Sequence, residues 1–525
     1  MHSKQSLVMA ICATLVSAVL MQSSVDAAEC NVNAIPNVPD VKILSADAVS
    51  TPADHCRVVG EIGAETGFAL LLPDNWNGKF VMGGSGGFAG GFANGAQDLP
   101  NVIGDGWATV ATDTGHKGHP GGASWALNNL ERQVNFGHLA AHRTAVTAKQ
   151  IIKGFYGRAS SRDLFFGCSR GGGQALMMAQ RSPELFDGIY AGAPAYSWTK
   201  EMAGRWARNA QIMYPDPNQI SAPVIDADAL EMLGNAVMEQ CDTLDGLKDG
   251  ILNDPRQCEF DVSSLECGTE KSNQCLSKVQ VAAAEAIYST LDFGGTEWPG
   301  TPYGAELPGN PLGWDRWVTG GFVPDEDMEF HPGAESGGFE APETPNARWA
   351  FATEMMKYFF YADPDWTYEN YEFSDFSHHA ARLAPVLNAD DPDLSDFRAR
   401  GGKLIIDNGW MDASLTAYGT LDYYESVITL DETARNDVRL FLRPGVTHCI
   451  GGPGPYGTDY IAALETWLDT GVAPEQLDAP FVLPTLGLPP SGQGGRIICA
   501  HPGVVTYEGT GDSNDPKNFS CKIRK

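Results

Sequence analysis

Basic charge is scarce in this sequence: 35 Lys and Arg stand against 66 Asp and Glu, a formal net charge of −31. A chain this acidic has no basic face with which to displace counterions from phosphates. That sets aside nucleic acid as a partner, and anionic membranes with it. The excess charge reads as a solvated face that favours solubility, so an anionic substrate would need a local Arg or Lys. Zinc-type cysteine spacing is also missing, with no CxxC pair and no Cys/His knuckle. There are no internal repeats and no long low-complexity tract. Beyond the first two dozen residues, no apolar run approaches the roughly 20 residues that cross a bilayer.

What is present points to an exported globular protein. With 525 residues and 43% hydrophobic content the chain can bury a large core. It is too long for one compact domain, which suggests two units or one fold with a large insertion. Lys4, the apolar stretch from Leu7 to Met21 and the small residues of Val25-Asp26-Ala27 read as a signal peptide over residues 1–28. The mature protein is expected in the periplasm or outside the cell. Cys12 leaves with the leader. The ten that remain (Cys30, Cys56, Cys168, Cys241, Cys258, Cys267, Cys275, Cys449, Cys499 and Cys521) form an even set, as a disulfide framework requires.

From about Lys79 to Gly192 strand-like and helix-like pieces alternate. Phe80-Val81-Met82, Trp107 to Thr112, Leu164-Phe165-Phe166 and Gly188 to Gly192 read as strands; Thr144 to Phe155 and Gly172 to Arg181 read as helices. Alternation of this kind predicts a parallel sheet with crossover helices. After Pro194 the pattern stops, and resumes at Lys403 to Ile406 and Val438 to Leu442. The expected fold is α/β: a doubly wound, mostly parallel sheet over residues 29–194 and 401–525, with a lid domain inserted at 195–400.

Gly167-Cys168-Ser169-Arg170-Gly171 fits the GxSxG elbow, in which a serine sits on a sharp strand-to-helix turn flanked by glycines. Gly83-Gly84-Ser85-Gly86-Gly87 fits the same pattern, but the glycines that follow Ser85 cannot sustain a helix. That loop is better suited to stabilising charge, since Gly86 or Gly87, with the N–H of Arg170, can supply an oxyanion hole. Serine needs a base, and the base an orienting acid. In the α/β-hydrolase fold that such an elbow marks, the catalytic order is Ser, acid, His; Asp412 in Gly409-Trp410-Met411-Asp412 and His448 in Thr447-His448-Cys449 each lie in a loop just after a strand and fit it. Asp407 and His501 are the rivals. Cys168 and Cys449 each adjoin a predicted catalytic residue. If they bond, their Cα atoms must lie within about 4.4–6.8 Å, which forces Ser169 and His448 into one small volume.

These elements in this order resemble the tannase and feruloyl esterase family, which also includes terephthalate monoester hydrolases. The resemblance covers nearly the whole mature chain and implies a carboxylic ester hydrolase with the triad Ser169, Asp412 and His448. It implies the disulfide Cys168–Cys449 and, by order and spacing, Cys30–Cys56, Cys241–Cys258, Cys267–Cys275 and Cys499–Cys521. The substrate it implies is a small aromatic ester of the feruloyl type, free or carried on plant polysaccharide, with gallate esters and terephthalate or phthalate monoesters as alternatives. A non-catalytic phenolic- or carbohydrate-binding protein on the same fold is the reading from another class.

Within the lid, Cys241 to Ile251 crowds three carboxylates into eight residues, and such repulsion calls for a cation. The resemblance assigns calcium, in a structural role, to the side chains of Asp242, Asp245 and Asp249 and the carbonyls of Leu247 and Ile251. No organic cofactor is expected. Arg348, Trp349 and Phe359 are candidates for the substrate pocket.

Overall fold

The computed structural model describes residues 29–92, 102–268, 275–306, 312–320, 344–369, 371–481 and 493–523. The expected signal peptide lies outside them. Among the described residues no helix is long and apolar enough to cross a membrane.

Among the described residues nine strands form the main sheet: β1 (Val41–Val49), β2 (His55–Ile62), β3 (Thr66–Pro73), β4 (Lys79–Gly83), β5 (Ala108–Thr112), β6 (Arg162–Cys168), β7 (Gly188–Gly192), β8 (Lys403–Gly409) and β9 (Val438–Arg443). Their spatial order is β1-β2-β3-β5-β4-β6-β7-β8-β9. Pairing is parallel from β5 to β9 and antiparallel among β1, β2, β3 and β5. The six strands read from sequence are therefore all present, and three antiparallel strands precede them. Parallel strands need crossovers. Helix α1 (Ala140–Phe155) joins β5 to β6, and α2 (Arg170–Arg181) joins β6 to β7. Both bury small and aliphatic residues against the sheet, such as Ala145, Ala148, Ile151 and Ile152 on α1.

Between β7 and β8 the chain leaves the sheet for about two hundred residues. The described part of this insertion is helical, apart from a short ribbon pairing Leu291–Asp292 with Glu297–Trp298. Its helices include α3 (Ala227–Cys241), α4 (Lys278–Tyr288) and α5 (Ala347–Met355), with a further helix at Phe376–Leu387. Three π-turns, at Thr199–Trp206, Asp315–Thr319 and Met356–Phe360, break the helical register. After β9, helix α6 (Tyr460–Thr470) covers one face of the sheet. Two antiparallel ribbons then close the chain: β10 (Gln476–Pro480) with β11 (Gly495–Cys499), and β12 (Gly503–Tyr507) with β13 (Phe519–Ile523).

All five disulfides form as the resemblance implied: Cys30–Cys56, Cys168–Cys449, Cys241–Cys258, Cys267–Cys275 and Cys499–Cys521.

Candidate active site

Ser169 stands where β6 ends and α2 begins, with φ 61° and ψ −123°. A non-glycine residue in this region is strained by about 1–3 kcal/mol and persists only where its surroundings enforce it. Here they do. The Ser169 N–H donates to the carbonyl of Gly192 at 3.0 Å, and its own carbonyl accepts from Gly173 at 3.1 Å and Ala195 at 2.9 Å. The flanking glycines are steric necessities. A Cβ on Gly167 would lie 2.6 Å from the backbone of Gly171, and one on Gly84 would lie 2.5 Å from the Gly171 Cα. The glycine-rich loop after β4, the expected oxyanion loop, thus packs backbone to backbone against the elbow.

The expected acid and base, Asp412 and His448, arrive on two loops that are bonded to each other. Trp410 and Met411 donate to the carbonyls of Arg443 and Val446 at 2.9 and 3.0 Å. Gly409 passes so close to Val446 that a Cβ would meet its oxygen at 2.0 Å. His448 Nδ1 then lies 2.9 Å from Asp412 Oδ2, and Nε2 lies 2.9 Å from Ser169 Oγ. The other carboxylate oxygen, Asp412 Oδ1, accepts the amides of Ser414 and Leu415 at 2.8 and 2.9 Å. Asp412 is fully buried, while Ser169 keeps some exposure. The disulfide between Cys168 and Cys449 spans a Cα separation of 5.9 Å beside this group.

The rivals have other partners. Asp407 is buried in an ion pair with Arg443 at 2.8 Å and accepts the Tyr460 hydroxyl. His501 pairs with Glu425 at 2.7 Å.

On the oxyanion side, the Ser85 N–H donates to Gln174 at 2.9 Å and the Phe88 N–H to the Pro120 carbonyl at 2.7 Å. The two glycines expected from the sequence, Gly86 and Gly87, lie between these two residues. Gly87 has φ +54°, and a Cβ there would strike the Pro120 oxygen at 2.5 Å. The loop is braced by the segment after β5: Gly90 donates to the Asp113 carbonyl at 3.0 Å, and His116 Nε2 lies 3.0 Å from the Phe88 carbonyl. His116 stacks on Trp125 at 3.6 Å, and burial pushes its pKa down to about 4. Burial also pushes Asp113 up to about 7, against the amides of Gly67 and Gly115 that it accepts.

Of the expected pocket residues, Arg348 is 1% exposed and Phe359 0%. Arg348 donates to Thr301 Oγ1 at 3.2 Å and lies over the Trp206 ring. Phe359 packs among Phe88, Trp125 and Phe136. Both are enclosed in the packing of this structure, while Trp349 keeps part of its surface. Nothing in the local sequence singles out Trp317, whose ring reaches from the insertion to meet the His448 imidazole edge to face at 5.2 Å.

In the acidic loop, Asp242 Oδ1 accepts the amides of Asp249 and Gly250, and Asp245 accepts those of Leu247 and Asn253. Asp249 accepts from Ile251 and pairs with Arg496 of β11. Among the described residues no three acidic, Cys or His side chains already converge as a metal set. The donor chemistry nevertheless fits a hard cation. Every candidate ligand is an oxygen, the turn is opened by Gly246 and Gly250 at φ 91° and 75°, and burial, with the charge of Asp249 adding to it, pushes Asp245 up to about 6. A carboxylate perturbed in this direction is relieved by a cation beside it.

Comparison with known proteins shows the family and the fold. Residues 50–522 match the family model described as tannase and feruloyl esterase. The chain is 32% identical to mono(2-hydroxyethyl) terephthalate hydrolase of Piscinibacter sakaiensis, over 92% of this chain and 87% of that protein. It is 28% identical to feruloyl esterase B of Aspergillus niger, over 95% and 94%. The crystal structure of feruloyl esterase B from Aspergillus oryzae superposes with a TM-score of 0.78 at 24% identity, covering 93% of this chain and 98% of that one.

Proposed function

The chain belongs to the tannase and feruloyl esterase family and is a carboxylic ester hydrolase, and from that premise we propose that it cleaves esters of aromatic acids through a Ser169–His448–Asp412 triad. The observation that carries this reading is the His448 ring, 2.9 Å from Asp412 on one nitrogen and 2.9 Å from Ser169 on the other. His448 Nε2 takes the hydroxyl proton as Ser169 Oγ attacks the ester carbonyl, and returns it to the leaving alcohol. Water, deprotonated by the same nitrogen, then splits the acyl-enzyme to release the acid and free Ser169. Asp412, fixed by two backbone amides, holds the imidazole with its Nδ1 proton inward. The amide of Arg170 and that of Gly86 or Gly87 receive the negative charge on the carbonyl oxygen.

Hydroxycinnamoyl esters of the feruloyl type lead as substrates, free or on plant polysaccharide, ahead of gallate esters and terephthalate or phthalate monoesters. The names of the relatives support this range. Residues 195–400 act as a lid over the site, the leader directs export, and the disulfides suit an oxidising compartment. Calcium, held by the carboxylates of Asp242, Asp245 and Asp249 and the carbonyls of Leu247 and Ile251, stiffens the lid and takes no part in the chemistry.

One set of experiments tests the reading. Ser169→Ala should abolish hydrolysis across a panel of feruloyl, galloyl and terephthaloyl esters, and labelling by a fluorophosphonate, while the circular dichroism spectrum stays unchanged. Retained turnover rejects the triad. A chelator should lower the melting temperature, since an ion bound only to the folded state stabilises it; an unchanged melt rejects calcium.

A further inference from the structure

Arg170 follows the nucleophile, yet its side chain turns away from solvent and is 1% exposed. Among the described residues no carboxylate pairs with it, and burial pushes its pKa down to about 9, which leaves it charged at neutral pH. Burying an uncompensated guanidinium is unfavourable, so the contacts it makes must offset that. Its Nη2 donates to the carbonyls of both Phe136 and Gly137 at 2.7 Å. Those carbonyls belong to a π-turn, Asn135–Leu139, that leads into α1. A π-turn in a helix is a recurrent feature of functional sites. This one is wedged in place, because a Cβ on Gly137 would lie 2.2 Å from the Val386 carbonyl of the insertion.

The guanidinium also lies over two rings, 4.5 Å from the centroid of Phe136 and 5.1 Å from that of Trp198. The same two rings pack on Phe88, at 6.0 and 5.2 Å. Phe88 is the residue after Gly87, at the end of the oxyanion loop. One donor of the hole is the backbone amide of Arg170 itself; the other sits one or two residues before Phe88. A single buried cation therefore touches the supports of both halves.

We infer that Arg170 is a positioning residue that sets the two halves of the oxyanion hole in register, its backbone serving as donor and its side chain as the clamp. The inference rests on the acyl-transfer reading above. Without the guanidinium, two buried carbonyls lose their donor and the rings lose the group between them. The first turn of α2 can then shift against the loop of Gly84 to Phe88. Misplacement by about 1 Å at a reacting centre is worth on the order of 100-fold in rate.

The test compares Arg170→Met and Arg170→Lys with wild type on the ester of the panel that turns over fastest. Two inhibitors are measured beside it: phenylboronic acid, whose tetrahedral adduct on Ser169 needs the hole, and the acid product, which does not. Arg170→Met should lower kcat by about 10–100-fold with KM within about threefold. Boronate affinity should fall in parallel with kcat, product affinity should hold, and Arg170→Lys should recover part of the loss. The inference is overturned if kcat stays within about threefold of wild type, or if boronate and product affinities fall by the same factor, the mark of a merely structural role. Should Arg170→Met fail to fold, Arg170→Lys and Trp198→Phe carry the test, with the same split in smaller measure; unchanged kcat in both overturns it. Wild-type enzyme that ignores the boronate and a Ser169→Ala enzyme that still turns over would instead sink the acyl-transfer reading, so the two failures are separable.

Discussion

Asp412→Asn is the sharpest probe of the site, because the structure dictates which way the new amide must face. Asp412 Oδ1 accepts two buried backbone amides, from Ser414 and Leu415, while Oδ2 faces His448 Nδ1. Asparagine has one acceptor oxygen. Turning its NH2 toward the two amides would strand both donors, at about 1–3 kcal/mol each. The oxygen must therefore stay on the amides and the NH2 must face His448. That amide donates to Nδ1, which obliges the ring to carry its proton on Nε2, the nitrogen 2.9 Å from Ser169 Oγ. A base that already holds the proton cannot take another. The wrong tautomer in a Ser-His-Asp triad costs about 10⁴-fold in kcat, or about 5.4 kcal/mol of barrier at 1.36 kcal/mol per decade. Steady-state hydrolysis of an aryl ester reads kcat, and a thermal melt checks that the fold is kept. Asp407→Asn is the control, since Asp407 is engaged by Arg443 and Tyr460. The reasoning is refuted if Asp412→Asn retains more than about a tenth of wild-type kcat, or if Asp407→Asn, still folded, loses as much.

Two further outcomes follow from groups around the site. Asp113 has its pKa pushed up to about 7 by burial, above about 3.9 for an unfolded chain, so the folded state binds its proton more tightly and stability falls as pH rises from about 4 to 7, by up to about 4 kcal/mol. Asp113→Asn lacks that proton, so its stability relative to wild type should climb over the same interval; a difference that does not vary with pH, measured by denaturant unfolding, removes the assignment. The disulfide Cys168–Cys449 closes a sequence separation of 281 residues, worth on the order of 5 kcal/mol in the chain-entropy model. Cys168→Ala with Cys449→Ala should lower the unfolding midpoint while reducing kcat far less than Asp412→Asn does. A kcat loss as large as that of Asp412→Asn would mean that the staple alone holds His448.

Much of the site is legible in the sequence because chemistry and chain order constrain it together. Ser169 stands out from Ser85 since only one of the two GxSxG patterns follows an apolar strand and opens a helix, and β6 and α2 flank it as expected. The antiparallel strands β1 to β3 are harder to see, although part of the alternation is there: His55–Ile62 buries nearly every second residue, while Thr66–Pro73 is buried almost throughout and shows no period. The insertion is opaque for a different reason. Its helices run into π-turns, as α5 does at Met356–Phe360. Each π-turn adds a residue to the helical repeat and rotates every later side chain off the face that a 3.6-residue period predicts. Aromatic residues on either side of such a turn, Phe359 among them, cannot be sorted into core and pocket from spacing.

The choice between Asp407 and Asp412 shows where sequence reasoning needs the third dimension. Order along the chain fits either acid, and the sequence pattern sets Asp407 aside only because it falls at the strand end, ahead of the loop that carries Asp412. What separates them is the neighbouring strand. Parallel register sets Asp407 beside Phe441 and Gly409 beside Arg443, so the Arg443 side chain reaches Asp407 while its loop continues past Asp412 to His448. Arg443 also donates from Nη2 to the Cys449 carbonyl at 3.0 Å. The buried ion pair of the rejected acid thus helps anchor the histidine loop, on the residue that carries the disulfide. Ser169 and His448 are held together by a covalent bond, by this ion pair and by the close backbone passage of Gly409 and Val446. Because these restraints act on the same few residues from different strands, removing any one leaves the imidazole oriented by Asp412, whereas removing Asp412 leaves it held in place with the wrong proton.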